Sequence, residues 1–214
     1  MNYLQLVNQV LRKLREDTVT TVNENDYSNL IGIFVNDAVN AVEASWDWSS
    51  LRKTLSIPTY SGQDTYPLTS FGIRGEVMYV YNTSNNNEIK QRTKAYIDDK
   101  RYKTDNLGMP YSWALKGVDA NNDTNLILFP KPDKEYILSV DCVIRNESLE
   151  ADADVTVLPT LPIIQLAFAY ALREKGETGG QSAMEQNIYA DRDLANAIAL
   201  DAANNAGELV FDVI

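Results

Sequence analysis

Along the first fifty residues, apolar side chains recur at spacings of three and four. Leu4, Val7, Leu11 and Leu14 form a stripe, widened by Leu6 and Val10, that predicts an amphipathic helix near the start. After the polar break TVTTVNEND, the run from Tyr27 to Trp46 sets Leu30, Ile31, Phe34, Val35, Ala38, Val39 and Val42 on one side. It predicts a second, longer helix. Asn25 or Asp26 can cap it, since a short polar side chain accepts from the N–H groups of a first turn. The helix ends in Trp46-Asp47-Trp48, and burial of both rings is expected, each contributing about 1.5–3 kcal/mol or more on area grounds.

From about Leu51 the period changes to two and turn residues appear. Strands are expected at Leu51 to Ile57, Gly75 to Tyr81, Glu88 to Arg92, Tyr111 to Lys116, Leu126 to Phe129 and Tyr136 to Arg145. The charged segment Thr93 to Thr104 predicts a short helix, stopped by Gly108-Met109-Pro110. The last two strands read as a hairpin joined by Pro130-Lys131-Pro132-Asp133-Lys134-Glu135. In its second strand Tyr136, Leu138, Val140, Cys142 and Ile144 point one way, toward a core. Ser139, Asp141 and Arg145 share the other face with Ile137 and Val143, and that mixed face faces either solvent or a partner.

The helical period returns after Leu158-Pro159-Thr160-Leu161-Pro162, with Ile163, Ile164, Leu166, Ala167, Tyr170 and Ala171 leading to Lys175. Following a Gly-rich break, a further helix is expected between Gln181 and Ala206, where eight alanines accompany Met184, Ile188, Leu194, Ile198 and Leu200. Such small residues permit close helix–helix approach. Beyond Gly207 the stretch GELVFDVI is apolar, which raises the question of what holds it. The order helices, sheet, helices predicts an α+β fold: terminal helices packed as a bundle with an inserted, mainly antiparallel β region. It reads as one domain over 1–214, made of N-terminal helices (1–48), a β region (51–146), C-terminal helices (159–206) and a C-terminal tail (207–214).

Composition narrows the function. At 214 residues, 44% hydrophobic and 23% charged, the chain has the makeup of a folded protein. The formal net charge of −11 opposes general binding to polyanions or anionic lipid. No stretch has the length of an apolar spanning helix, and neither an export signal nor a membrane span is expected. The single cysteine, Cys142, lies within a strand and is expected to be a small core hydrophobe.

Chemistry is thinly represented. With no histidine and one cysteine, histidine-based triads, imidazole zinc sites and paired-cysteine redox motifs are excluded. There is no Gly-rich phosphate loop, and no cofactor is expected. Carboxylates remain: Glu147, Glu150, Asp152 and Asp154 cluster before Pro159, as a hydrolase working with two acids requires or as a solvated acidic turn. Asp119, Asn121, Asp123 and Asn125 imitate the first ligands of a calcium loop, but Thr124 replaces the required glycine and Pro130 the required glutamate. They read as a polar connection between strands. Lys90, Arg92, Lys94, Lys100, Arg101 and Lys103, interleaved with Tyr96 and Tyr102, form a basic aromatic patch. It suits nucleic acid, an ion-pair surface between subunits, or a solvated helix face diluted by Glu88, Asp98 and Asp99.

Several landmarks recur in order: Trp46-Asp47-Trp48, then Tyr66-Pro67-Leu68, then Gly108-Met109-Pro110 with Trp113. Leu128-Phe129-Pro130-Lys131-Pro132-Asp133 with Tyr136 follows, and Leu158-Pro159 opens a helix containing Ala171-Leu172-Arg173-Glu174-Lys175-Gly176-Glu177. This order resembles the head-to-tail adaptors of tailed bacteriophages, particularly the tail tubular protein A-like adaptors of short-tailed phages. The resemblance implies a non-enzymatic virion protein, assembled in the host cytoplasm, that forms a homo-oligomeric ring of about twelve copies. The ring would sit between the portal protein and the tail nozzle or tube, and DNA would pass through it without specific binding. Leu209, Val210, Phe211, Val213 and Ile214 would then contact the portal, and the basic patch would face a neighbouring subunit or nucleic acid. The alternatives are a carboxylate-based virion hydrolase and a nucleic-acid or glycan binding module.

Overall fold

A computed structural model describes the chain except residues 70, 72, 73, 105, 121, 122, 146, 147, 177–180 and 205–214, with backbone alone at 181–183 and 204. It is α+β, and the chain divides into two compact units: a helical unit of residues 1–50 and 146–214, and a β unit of residues 51–145.

The helical unit holds α1 (Tyr3–Lys13), α2 (Asp26–Ala44), α4 (Thr160–Glu174) and α5 (Gln181–Asn204). Each of the first two begins with an asparagine cap. Asn2 accepts from the Gln5 N–H of α1, and Asn25 accepts from the Ser28 N–H of α2 at 2.8 Å. The α1 stripe Leu6, Val7, Val10 and Leu11 is buried, as are Ile31, Val35, Ala38, Val39 and Val42 of α2. Close approach of these helices requires a glycine: a Cβ at Gly32 would lie 2.4 Å from the Tyr3 hydroxyl oxygen. Helix α4 packs against α1, α2 and α5. Its Gln165 carbonyl accepts from Lys13 of α1 and Gln186 of α5, while its amide donates to Asp193 of α5. The predicted tail, residues 207–214, including Leu209, Val210, Phe211, Val213 and Ile214, lies outside the described residues.

The tryptophan pair behaves unequally. Trp48 is buried and donates to the Val42 carbonyl. Trp46, expected to be buried, is 36% exposed, with its indole N–H directed at Asp201 of α5. The physical reason is that Asp201 also accepts from the Ser49 N–H and hydroxyl, so one carboxylate gathers the turn after α2 and keeps the Trp46 edge polar.

The β unit is two four-stranded sheets. One has the order β1 (Arg52–Pro58), β8 (Ile137–Val143), β3 (Glu76–Asn82), β4 (Asn87–Glu88), and is antiparallel. The other has the order β2 (Thr65–Pro67), β7 (Thr124–Phe129), β6 (Ser112–Val118), β5 (Lys90–Gln91), with β5 and β6 parallel. Val80, Leu138, Val140 and Cys142 of the first sheet and Tyr66, Trp113, Leu126 and Leu128 of the second share one buried cluster, as expected of two sheets packed face to face. Helix α3 (Lys94–Lys103) packs on the opposite side of the second sheet, where Ile97 meets Ala114, Ile127 and Phe129. Strand β7 is therefore buried on both faces, which accounts for its unalternating Leu-Ile-Leu-Phe run.

Two sequence expectations are corrected by this topology. Leu126 to Phe129 and Tyr136 to Arg145 are not a hairpin: β7 and β8 lie in different sheets. Their connection carries two prolines, which cannot donate to a ladder. It is instead fixed from outside, the Lys131 and Pro132 carbonyls accepting from the Gly108 and Gly62 N–H groups. The segment Glu88 to Arg92 is not one strand. With Ile89 buried between them, β4 pairs in one sheet and β5 in the other, so the chain switches sheets there. On β8 the inward set Leu138, Val140 and Cys142 is as the pattern predicts; on the other face Ile137 is exposed while Val143 is buried.

Candidate interaction surfaces

The carboxylate cluster is the first place to look for chemistry, and in it Asp152 and Asp154 serve the backbone while Glu150 is exposed. Asp154 accepts from the N–H groups of Glu150 and Ala151, both at 2.8 Å, and these bonds, Ala151's first, hold its carboxyl below the usual carboxylate range. Asp152 accepts from the Val22 N–H at 3.0 Å. Its carbonyl and that of Asp154 accept from the Leu4 and Tyr3 N–H groups at the start of α1, satisfying donors a helix cannot pair internally. Glu147 lies outside the described residues. A segment that reads as paired acids thus closes a turn and docks the first helix.

The calcium-like stretch is a turn: the Asp119 carboxylate accepts from the Asp123 N–H, and the Asp119 N–H donates to the Asp123 carbonyl. Asn121 lies outside the described residues. No group of three or more His, Cys, Asp or Glu side chains among the described residues is placed to hold a metal ion. Cys142 is buried among the sheet side chains, and that burial raises its thiol to about 11, leaving almost no reactive thiolate at neutral pH. No helix among the described residues is long and apolar enough to cross a membrane.

The basic aromatic patch is brought together around α3, but its cations differ in their partners. Arg101 faces inward, paired to Asp64 at 2.8 Å while also donating to the Leu128 carbonyl at 2.9 Å, so it ties α3 to β7. Lys94 pairs with Asp98 and Lys103 with Asp99, one helical turn away in each case. Arg92 and Lys100 instead lie over the Tyr96 ring, each 5.6 Å from its centroid. Lys90 is exposed on β5, and Tyr102 is 93% exposed. The cations gathered on an aromatic ring are thus Arg92, which is exposed, and Lys100, which is half-buried.

A second surface was not singled out from the sequence. Helix α5 turns Gln186, Ala190, Leu194, Ile198 and Asp201 toward its own unit, yet Met184 is 71% exposed, Ile188 64% and Leu200 69%. The signal was present in the sequence, because apolar residues occur around more than one side of the helix, and a helix of that kind is ordinarily covered.

The arrangement offers packing surfaces and no assembled catalytic constellation among the described residues. No curated protein matches the chain. A family model described as SU10 adaptor protein matches residues 1–209, nearly the whole length, in agreement with the resemblance to phage head-to-tail adaptors. The chain belongs to the SU10 adaptor protein family.

Proposed function

We propose that copies of this protein form a ring, of about twelve subunits, that joins the portal of a tailed phage to its tail nozzle or tube and encloses the DNA exit channel. The observation that carries this is the adaptor-family match over residues 1–209. The fate of the acids supports it: two of the four candidates for carboxylate chemistry, Asp152 and Asp154, bind backbone N–H groups. In this reading the two compact units are parts of one protomer, which acts by fitting neighbours and transforms no substrate. The net charge of −11 suits a conduit, since a negative wall does not grip passing phosphates.

Each protomer of a closed ring uses two different patches, so the contact is head to tail. The apolar stretch Leu209, Val210, Phe211, Val213 and Ile214 is proposed to contact the portal. Deleting residues 207–214 is then expected to weaken portal binding in a pull-down while leaving the circular dichroism spectrum unchanged, and undiminished binding refutes that assignment. The assembly itself is tested by electron microscopy and native mass measurement of the purified chain with and without portal protein. A discrete ring of about twelve copies is expected; a monomer under both conditions contradicts the proposal.

A further inference from the structure

The charge of this chain is unevenly divided. The helical unit carries 6 basic and 19 acidic residues, a net of −13, whereas the β unit carries 13 basic and 11 acidic residues, a net of +2. A uniformly acidic protein would repel its own copies. Copies of this one can pair unlike units, because the potential of one unit complements that of the other. Charge alone does not make an interface, which also needs apolar or aromatic anchors that exclude water.

Those anchors coincide with the right sign of charge at one place in each unit. On α5, Met184, Ile188, Asp191 and Ala195 are exposed at successive spacings of four, three and four, which places them along one outward face, with the exposed Glu185 at its flank. On α3 the exposed Tyr96 and the half-buried Lys100 are one turn apart, flanking the buried Ile97, and the exposed Arg92 lies over the same ring. One face is apolar and acidic, with Arg192 on the Glu185 flank; the other is aromatic and basic, with Asp99 at its edge. Arg and Tyr are also the residue types that most often dominate binding energy.

We infer that the outer face of α5 in one copy docks on the Arg92, Tyr96 and Lys100 face of the next copy, and that this is the contact that repeats around the assembly. The occupant is a second copy of this chain, chosen by charge complementarity between its own two units. The inference rests on the ring proposed above and adds to it the two patches used.

The test is reversal of charge in full-length protein, under whichever condition gives wild-type rings, with portal protein added or not. One variant carries Glu185→Lys and Asp191→Lys, the other Arg92→Glu and Lys100→Glu. Each alone sets like charges against each other around the whole ring, and a loss of association of about tenfold or more is expected. Mixing the two in equal amounts restores opposite charges at every contact, so rings of alternating subunits are expected to return. Recovery on mixing also shows that neither variant has lost its fold. If one variant fails to fold by circular dichroism, the neutral pair Glu185→Gln and Asp191→Asn replaces it, and a smaller loss is expected. Rings that form equally well from either variant alone overturn the inference and leave the ring proposal standing. Loss that mixing does not repair also overturns it, as does retention on a DNA oligonucleotide that the Arg92→Glu, Lys100→Glu variant abolishes while its rings persist. Absence of wild-type rings under both conditions overturns the ring proposal itself.

Discussion

In the helical unit, single polar side chains tie together elements far apart in sequence. Asp201 gathers Trp46 and Ser49, Gln165 joins α1 to α5, and Asp152 reaches Val22. In the β unit more of this work is done by backbone ladders around a shared apolar cluster, helped by side chains such as Thr59, which accepts from the Tyr136 N–H, and by the Arg101–Asp64 pair. The difference teaches where each unit is vulnerable. The helical unit adds a few polar side-chain ties to its apolar core, whereas the β unit depends more on its ladders and on the volume of its core.

That contrast can be broken by substitution. Trp113→Ala removes a fully buried ring from between the sheets. It is expected to destabilise the β unit by about 3–5 kcal/mol, because transfer and cavity penalties add. Hydrogen exchange read unit by unit checks this, and protection lost equally in α1 and α2 would erase the distinction. Asp201→Ala leaves the Trp46 indole N–H and both Ser49 donors without their acceptor. Bonds to a charged group are the stronger kind, so a loss of about 3 kcal/mol is expected, felt at α5 and the turn after α2. Chemical denaturation followed by the helical circular dichroism signal measures it; an unchanged midpoint would mean that apolar packing alone seats α5.

The smallest effect is one of pH. The Asp154 carboxyl is held below its usual value by the Ala151 and Glu150 N–H groups, so its contribution is present above the ordinary carboxylate range. It is lost as pH falls through the lowered folded-state value. Wild type is therefore expected to exceed Asp154→Ala in stability at neutral pH, with the gap closing in acid. A gap that stays constant, or widens, as pH drops would show that the carboxylate charge is not what holds the turn.

The helices of both units were largely legible because helices are local. The stripe of α1, the Asn25 cap of α2, the α3 segment and the return of the helical period at α4 all follow from spacing within one element. Most strand positions were legible for the same reason, β2 and the split of Glu88 to Arg92 excepted, but strand partners were not. Pairing is decided by which apolar faces meet, and the chain changes sheets at Ile89 and again across Pro130 to Glu135, where no local pattern distinguishes a turn from a crossing. The fate of Trp46 was hidden likewise, since its partner Asp201 is 155 residues away. Of the basic patch, composition gave the membership, while the inward pairing of Arg101 with Asp64 and the stacking of Arg92 and Lys100 on Tyr96 required the fold.

The measurement that bears most directly on the central claim is a cryo-electron microscopy reconstruction of the vertex of a virion carrying this protein. The account predicts both units of the chain repeated about twelve times around the channel axis, between portal and tail. Density for the chain anywhere else in the particle, or its absence from purified particles, would contradict it.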